Sequence, residues 1–227
     1  MDTRKYLAEL VGTFLFLTIG YSSVAAAGAG NVPTLLVVPF SFGLGLAAAI
    51  FAVGHISGGH FNPAVTVAAV LDKRTDTTDA IGYILAQVIG AIGAAAVVFV
   101  VAGQAAVAAG VTAPGQGITD IGALILEIVL TAAFILVILV STKRAPGLAP
   151  LAIPLTLVSI HFAAASLSGA SVNPARSIGS ALLGGDLTGL WIYILAPIIG
   201  AVGGWALFRV LDEDAVDEVV MEETASS

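Results

Sequence analysis

His55-Ile56-Ser57-Gly58-Gly59-His60-Phe61-Asn62-Pro63-Ala64-Val65-Thr66 holds a tripeptide that returns once, inside Ser171-Val172-Asn173-Pro174-Ala175-Arg176-Ser177. Each Asn-Pro-Ala heads a short apolar run, Asn62 to Leu71 and Asn173 to Leu183, which ends in Asp72-Lys73-Arg74 or Gly184-Gly185-Asp186. Asn is a favoured helix N-cap, and Pro is pre-set for the first helical position, where its missing N–H removes nothing the helix needs. At ~1.5 Å per residue either run reaches ~15 Å, about half of a ~30 Å hydrocarbon core. The pair therefore reads as two half-helices entering a membrane from opposite faces, with their Asn-capped positive ends meeting near mid-depth.

The rest of the chain supplies the membrane protein this requires. Hydrophobic residues make up 58% of it and charged ones 10%, and the mean hydropathy of +1.05 excludes a soluble globular protein. Cys is absent, which excludes a disulfide framework, a thiolate metal site and a Cys nucleophile. The three His residues, at 55, 60 and 161, have no metal-ligand spacing. No metal, cofactor or nucleic-acid partner is expected, and without a nucleophile–base pair an enzyme is a distant reading. The net charge of −7 belongs to the end of the chain: from Asp212 onward there are seven acidic residues and no basic one. Residues 212–227 accordingly read as a disordered, acidic cytoplasmic tail.

Six long apolar stretches are expected to span, from about Tyr6 to Ala27, Thr34 to Val53, Ala80 to Ala102, Asp120 to Thr142, Leu148 to Leu167 and Leu190 to Leu211. Arg4, Lys5, Lys73, Arg74, Lys143, Arg144 and Arg209 then all fall on one side, which the positive-inside rule makes cytoplasmic, as it does both termini. Arg176 stands alone on the other side, three residues after Asn173, and is the foremost functional candidate.

The two halves repeat. Tyr83-Ile84-Leu85-Ala86 is echoed 110 residues later by Tyr193-Ile194-Leu195-Ala196, the tripeptides are offset by 111, and Glu9, Thr13 and Phe16 match Glu127, Thr131 and Phe134 at an offset of 118. Three spans per half is an odd number, so the second copy must lie inverted in the bilayer, the architecture of a translocation path. The expected fold is an all-α membrane protein of six transmembrane helices plus two half-helices in an inverted 3+3 repeat. It forms one domain over 1–211, with repeats at about 4–103 and 120–211.

Two converging helix N-termini place about half a positive charge each at mid-membrane, a barrier to cations and protons. If each Asn oxygen caps its own helix, its NH₂ is left as a donor. A water held by two such donors points its hydrogens away along the path and interrupts a proton wire. The loops before the caps, Gly58-Gly59-His60-Phe61 and Gly169-Ala170-Ser171-Val172, are non-helical backbone at membrane depth, so their carbonyls are candidate acceptors for a file of water.

With the two Asn-Pro-Ala stretches placed so, the chain from about Arg4 to Leu211 resembles the aquaporin, or major intrinsic protein, family in its prokaryotic water-channel branch. The resemblance implies passive conduction of water, a plasma-membrane location and a homotetramer with one pore per subunit. It also implies an outer constriction at Phe42, His161, Ala170 and Arg176, four positions that resemble water-selective rather than glycerol-conducting members. Ser177 agrees; two residues depart from the pattern, Ala170, which in place of the usual Thr or Cys gives a slightly wider, less polar wall, and Ile194, which stands in place of the expected Trp. Taken alone, His161 and Phe42 read as interior residues, and His55 and His60 as structural, with His60 offering its carbonyl. Glu9 and Glu127 read in two ways. The resemblance makes them braces for the half-helix loops, whereas a proton-coupled transporter would use them as a relay. A facilitator of glycerol or other small neutral solutes is the other reading left open.

Overall fold

The computed structural model describes residues 3–30 and 33–212; apart from Asp212, the acidic tail lies outside the described residues. Ten α-helices follow one another there: α1 Arg4–Gly28, α2 Thr34–Ala49, α3 His55–Ser57, α4 Pro63–Leu71, α5 Thr77–Ala102, α6 Gln104–Ala108, α7 Asp120–Arg144, α8 Ala149–Ser168, α9 Pro174–Gly184 and α10 Leu190–Leu211. A π-helical turn, Ile50–Gly54, joins α2 to α3, so the second apolar span runs from Thr34 to Ser57. Among the described residues, six helices are long and apolar enough to cross a membrane, with the half-length α4 and α9 between them.

The spanning helices bury many small residues against one another and leave many large aliphatic ones facing outward. Ala91, Ala94, Ala95, Ala164 and Ala201 are fully buried, while Leu35, Val100 and Val210 are mostly exposed. Lipid tails are as apolar as Leu, so helices in a bilayer associate by close packing rather than by hiding Leu and Val. Two glycines related by the repeat show how close. A Cβ at Gly90 of α5 would sit 2.6 Å from the Leu10 carbonyl oxygen of α1, and one at Gly200 of α10 would sit 2.5 Å from the Ile128 carbonyl oxygen of α7. The α1–α5 and α7–α10 pairs are accordingly the most extensive in the molecule.

The repeats also interlock. Half-helix α4, from the first repeat, packs on α10 of the second, and α9 packs on α5 of the first. Neither half-helix rests on its own repeat alone, so the fold holds both short helices end to end in the middle of the bundle.

The structure departs from the expected spans in two places. The second span is expected to end near Val53; the π turn instead runs to Gly54, His55-Ile56-Ser57 stay helical after it, and the span ends at Gly58, whose φ of 92° is left-handed. The stretch from Gly103 to Thr119, which falls between the third and fourth expected spans, contains α6 and buries Val107 and Thr112.

Candidate functional site: the meeting point of two half-helices

Asn62 and Asn173 are extended caps, with φ of −159° and −153°, each followed by Pro at the first helical position. Asn62 Oδ1 accepts from the Ala64 N–H at 2.9 Å, and Asn173 Oδ1 accepts from the Arg176 N–H at 3.2 Å. Each amide nitrogen then reaches the other repeat. Asn62 Nδ2 donates to the Val172 carbonyl at 2.8 Å, and Asn173 Nδ2 donates to the Phe61 carbonyl at 3.0 Å. The two helix starts are thus tied together directly, each cap keeping one further N–H hydrogen.

The accepting carbonyls belong to residues held in an unusual backbone. Phe61 has φ 49° and Val172 φ 43°; for a bulky or β-branched residue this region costs on the order of 1–3 kcal/mol and persists only where surroundings impose it. Two carboxylates impose it here. Glu9 accepts from the Phe61 N–H at 2.7 Å, the His60 N–H at 2.9 Å and the Ser57 hydroxyl at 2.6 Å. Glu127 accepts from the Val172 and Ser171 N–H groups, both at 2.8 Å, and from the Ser168 hydroxyl at 2.7 Å. Both carboxylates are fully buried, and every oxygen faces donors, which suits the ionised, acceptor-only form.

A cavity of about 590 Å³ leads from the end of the bundle bearing Arg74, Thr142 and Pro146 past both Asn caps to Phe42, His161 and Arg176. Its wall includes Gly58, Gly59, His60, Phe61, Ser171 and Val172, and does not include Gly169 or the fully buried Ala170. At its far end the Phe42 and His161 rings stack, centroids 4.5 Å apart and planes at 21°. The Arg176 guanidinium carbon lies 5.4 Å from the Phe42 centroid. The helices that carry these rings touch closely, since a Cβ at Gly43 would meet Val158 Cγ2 at 2.2 Å. Arg176 Nη1 donates to the Gly110 carbonyl at 2.7 Å. His161 Nδ1 lies 3.0 Å from the Leu157 carbonyl, so Nδ1 carries the proton and the partnerless Nε2 is an acceptor. The sequence-predicted positions Pro63, Ala64, Pro174 and Ala175 are buried at the first turns of α4 and α9.

Several contributing residues were not singled out from the sequence. Ser57 and Ser168 are offset by 111, the same interval as the tripeptides, so the repeat could have found them. Gln87 Nε2 donates to Glu9 at 2.7 Å and to Thr66 Oγ1 at 2.9 Å, yet Pro197 stands at its repeat position, so no symmetry marked it. Tyr21, whose hydroxyl donates to the Arg176 carbonyl, carried no signal at all, because 155 residues separate the two.

Comparison with known proteins places this arrangement. The chain is 43% identical over 229 residues to Aquaporin Z of Rhodopseudomonas palustris, covering 94% of this chain and 95% of the relative. It is 45% identical over 223 residues to the glycerol uptake facilitator protein-like 6 of Lactiplantibacillus plantarum, covering 93% and 99%. Among solved structures it superposes on the aquaglyceroporin from Plasmodium falciparum with a TM-score of 0.87 over 96% of this chain and 99% of that one; at 22% identity this shows a shared fold alone. The family described as major intrinsic protein matches residues 1–208. Reached from the crossed Asn caps, the carboxylate braces and these matches alike, the conclusion is that the chain belongs to the major intrinsic protein family, in its prokaryotic aquaporin branch.

Proposed function

We propose that the protein is a passive water channel that turns back protons and other ions, with the cavity between the Asn caps as its path. One observation carries the reading: Asn62 and Asn173 share the cavity wall, each with one amide hydrogen committed to the opposite loop and one left over. A water between them accepts both remaining hydrogens on its oxygen, so its own hydrogens point up and down the path and no proton is relayed. Two helix N-termini contribute roughly half a positive charge each at that depth. Phe42, His161 and Arg176, at the end of the cavity, form the outer filter, in which the rings narrow the opening and Arg176 adds donors and charge. Loop carbonyls from Gly58 to Phe61 and at Ser171 offer acceptors to the water file, while Gly169 and Ala170, expected to do the same, lie off the cavity wall; Glu9 and Glu127 brace the loops rather than relay protons.

The unit that conducts is residues 1–211. Four copies, each with its own pore, sit in the plasma membrane with both termini in the cytoplasm, the side that collects the basic residues. A second reading, passage of glycerol, is favoured by the name of the Lactiplantibacillus relative, to which the chain is 45% identical.

Proteoliposomes containing the protein are expected to pass water with a low activation energy, without saturation and without proton current. Flux that saturates or follows a pH gradient would replace the channel by a carrier. The same vesicles under a glycerol gradient separate the two channel readings.

A further inference from the structure

The filter residues do not hold themselves in place. Phe42 has no covalent tie to Arg176, and a cation beside an aromatic ring keeps its position only where other groups fix both. Both are fixed on one side by α1. A Cβ at Gly20 would meet Phe42 Cε1 at 2.5 Å, so the ring lies directly on the α1 backbone. Phe16 stands edge-on to it at 6.0 Å.

Tyr21 is the point where these contacts join. It is buried at 2% exposure and lies off the cavity wall. Its ring stands edge-on to Phe42, centroids 6.4 Å apart at 79°, and the Arg176 guanidinium carbon lies 6.0 Å from its own centroid. Its hydroxyl donates to the Arg176 carbonyl, which Ser180 Oγ approaches more loosely at 3.2 Å. A Cβ at Gly110, whose carbonyl receives Arg176 Nη1, would lie 3.9 Å from Tyr21 Cδ1. One side chain therefore borders the filter's ring, its cation, the backbone of that cation and the loop that anchors the guanidinium.

We propose that Tyr21 is a specificity-determining positioning residue: it fixes Phe42 and Arg176 relative to each other and so sets which neutral solutes pass beside water. The assignment rests on the channel reading above. Loss of the hydroxyl frees Arg176 to swing, and loss of the ring frees Phe42 to follow; both widen the aperture more for glycerol than for water.

The test is the ratio of glycerol to water permeability in proteoliposomes, which does not depend on how much protein inserts. Tyr21→Phe keeps the ring and is expected to raise the ratio roughly fivefold, the equivalent of about 1 kcal/mol for one hydrogen bond. Tyr21→Leu is expected to raise it further. Ser23→Ala, on the same helix, removes a hydroxyl that donates to the Gly20 carbonyl and is expected to match the wild type. Unchanged ratios in both Tyr21 variants, or an equal rise in Ser23→Ala, would overturn the assignment while wild-type water flux leaves the channel intact. A wild type that passes no water overturns the channel reading and this assignment together.

Discussion

A carboxylate buried within a membrane-spanning helix is costly unless hydrogen-bonded, so Glu9 and Glu127 must offset that cost through their surroundings. They do so by receiving N–H groups that have no other partner: the loops before the caps are not helical, and Phe61 and Val172 turn their amides inward through a left-handed backbone. A proton relay needs an oxygen that can let go of its donors; here Glu127 spends both oxygens on loop amides and Ser168. Glu127→Gln keeps the volume but sets an amide NH₂ against a backbone N–H. The expected cost is roughly 1–3 kcal/mol, read as a lower unfolding midpoint in detergent together with less water flux per inserted protein. An unchanged midpoint and flux would remove the bracing role. The two glutamates were legible in the sequence because they repeat at a fixed offset. Gln87, which supports Glu9 alone, was not.

At the scale of elements, the spans follow from apolar length and their ends from local chemistry. Thr119 caps α7 through its hydroxyl to the Gly122 N–H, and Asp76 caps α5 through its carboxylate to the Asp79 N–H. The second span outran its expected end because Gly54, His55 and Ser57 resemble loop residues while a π turn absorbs the change of pitch. The far ends of α7 and α10 are joined by a contact no periodicity announces. Asp212, just past α10, accepts from Lys143 at 2.5 Å and from Arg144. The Lys143 hydrogen bond lowers the Asp212 pKa most, burial pushes it back up, and Arg144 lowers it further, leaving it below the ordinary 3.8. A carboxyl with a folded pKa below its unfolded one adds stability above the unfolded value and loses it as the pH falls through the folded one. Asp212→Asn is therefore expected to lower the unfolding midpoint at pH 7 and to flatten its fall below about pH 4. A variant that loses midpoint equally at both pH values would show that packing, not charge, joins the helices.

For the whole molecule, the decisive feature is the exchange of half-helices between repeats: α4 rests on α10 and α9 on α5. Neither Asn cap can be drawn from the centre without disturbing both halves, so the path between them is a property of the complete fold. A channel built this way, from a sequence without Cys, offers no thiolate to a mercurial. Water flux is expected to be unchanged by mercuric chloride, and strong inhibition would show that the metal acts on another group in the path. The sequence by itself determined the membrane class, the six spans, the inverted repeat and the two capped half-helices, because hydrophobic length, Asn-Pro at a helix start and a repeated spacing are all local patterns along the chain. Only the tertiary structure decided that each Asn amide donates across the repeat, that Gln87 serves one glutamate and not the other, and that Tyr21 borders the filter. Those contacts join residues 78 to 155 positions apart, and a hydrogen bond depends on where the folded backbone brings two groups, which no pattern of neighbours along the chain encodes.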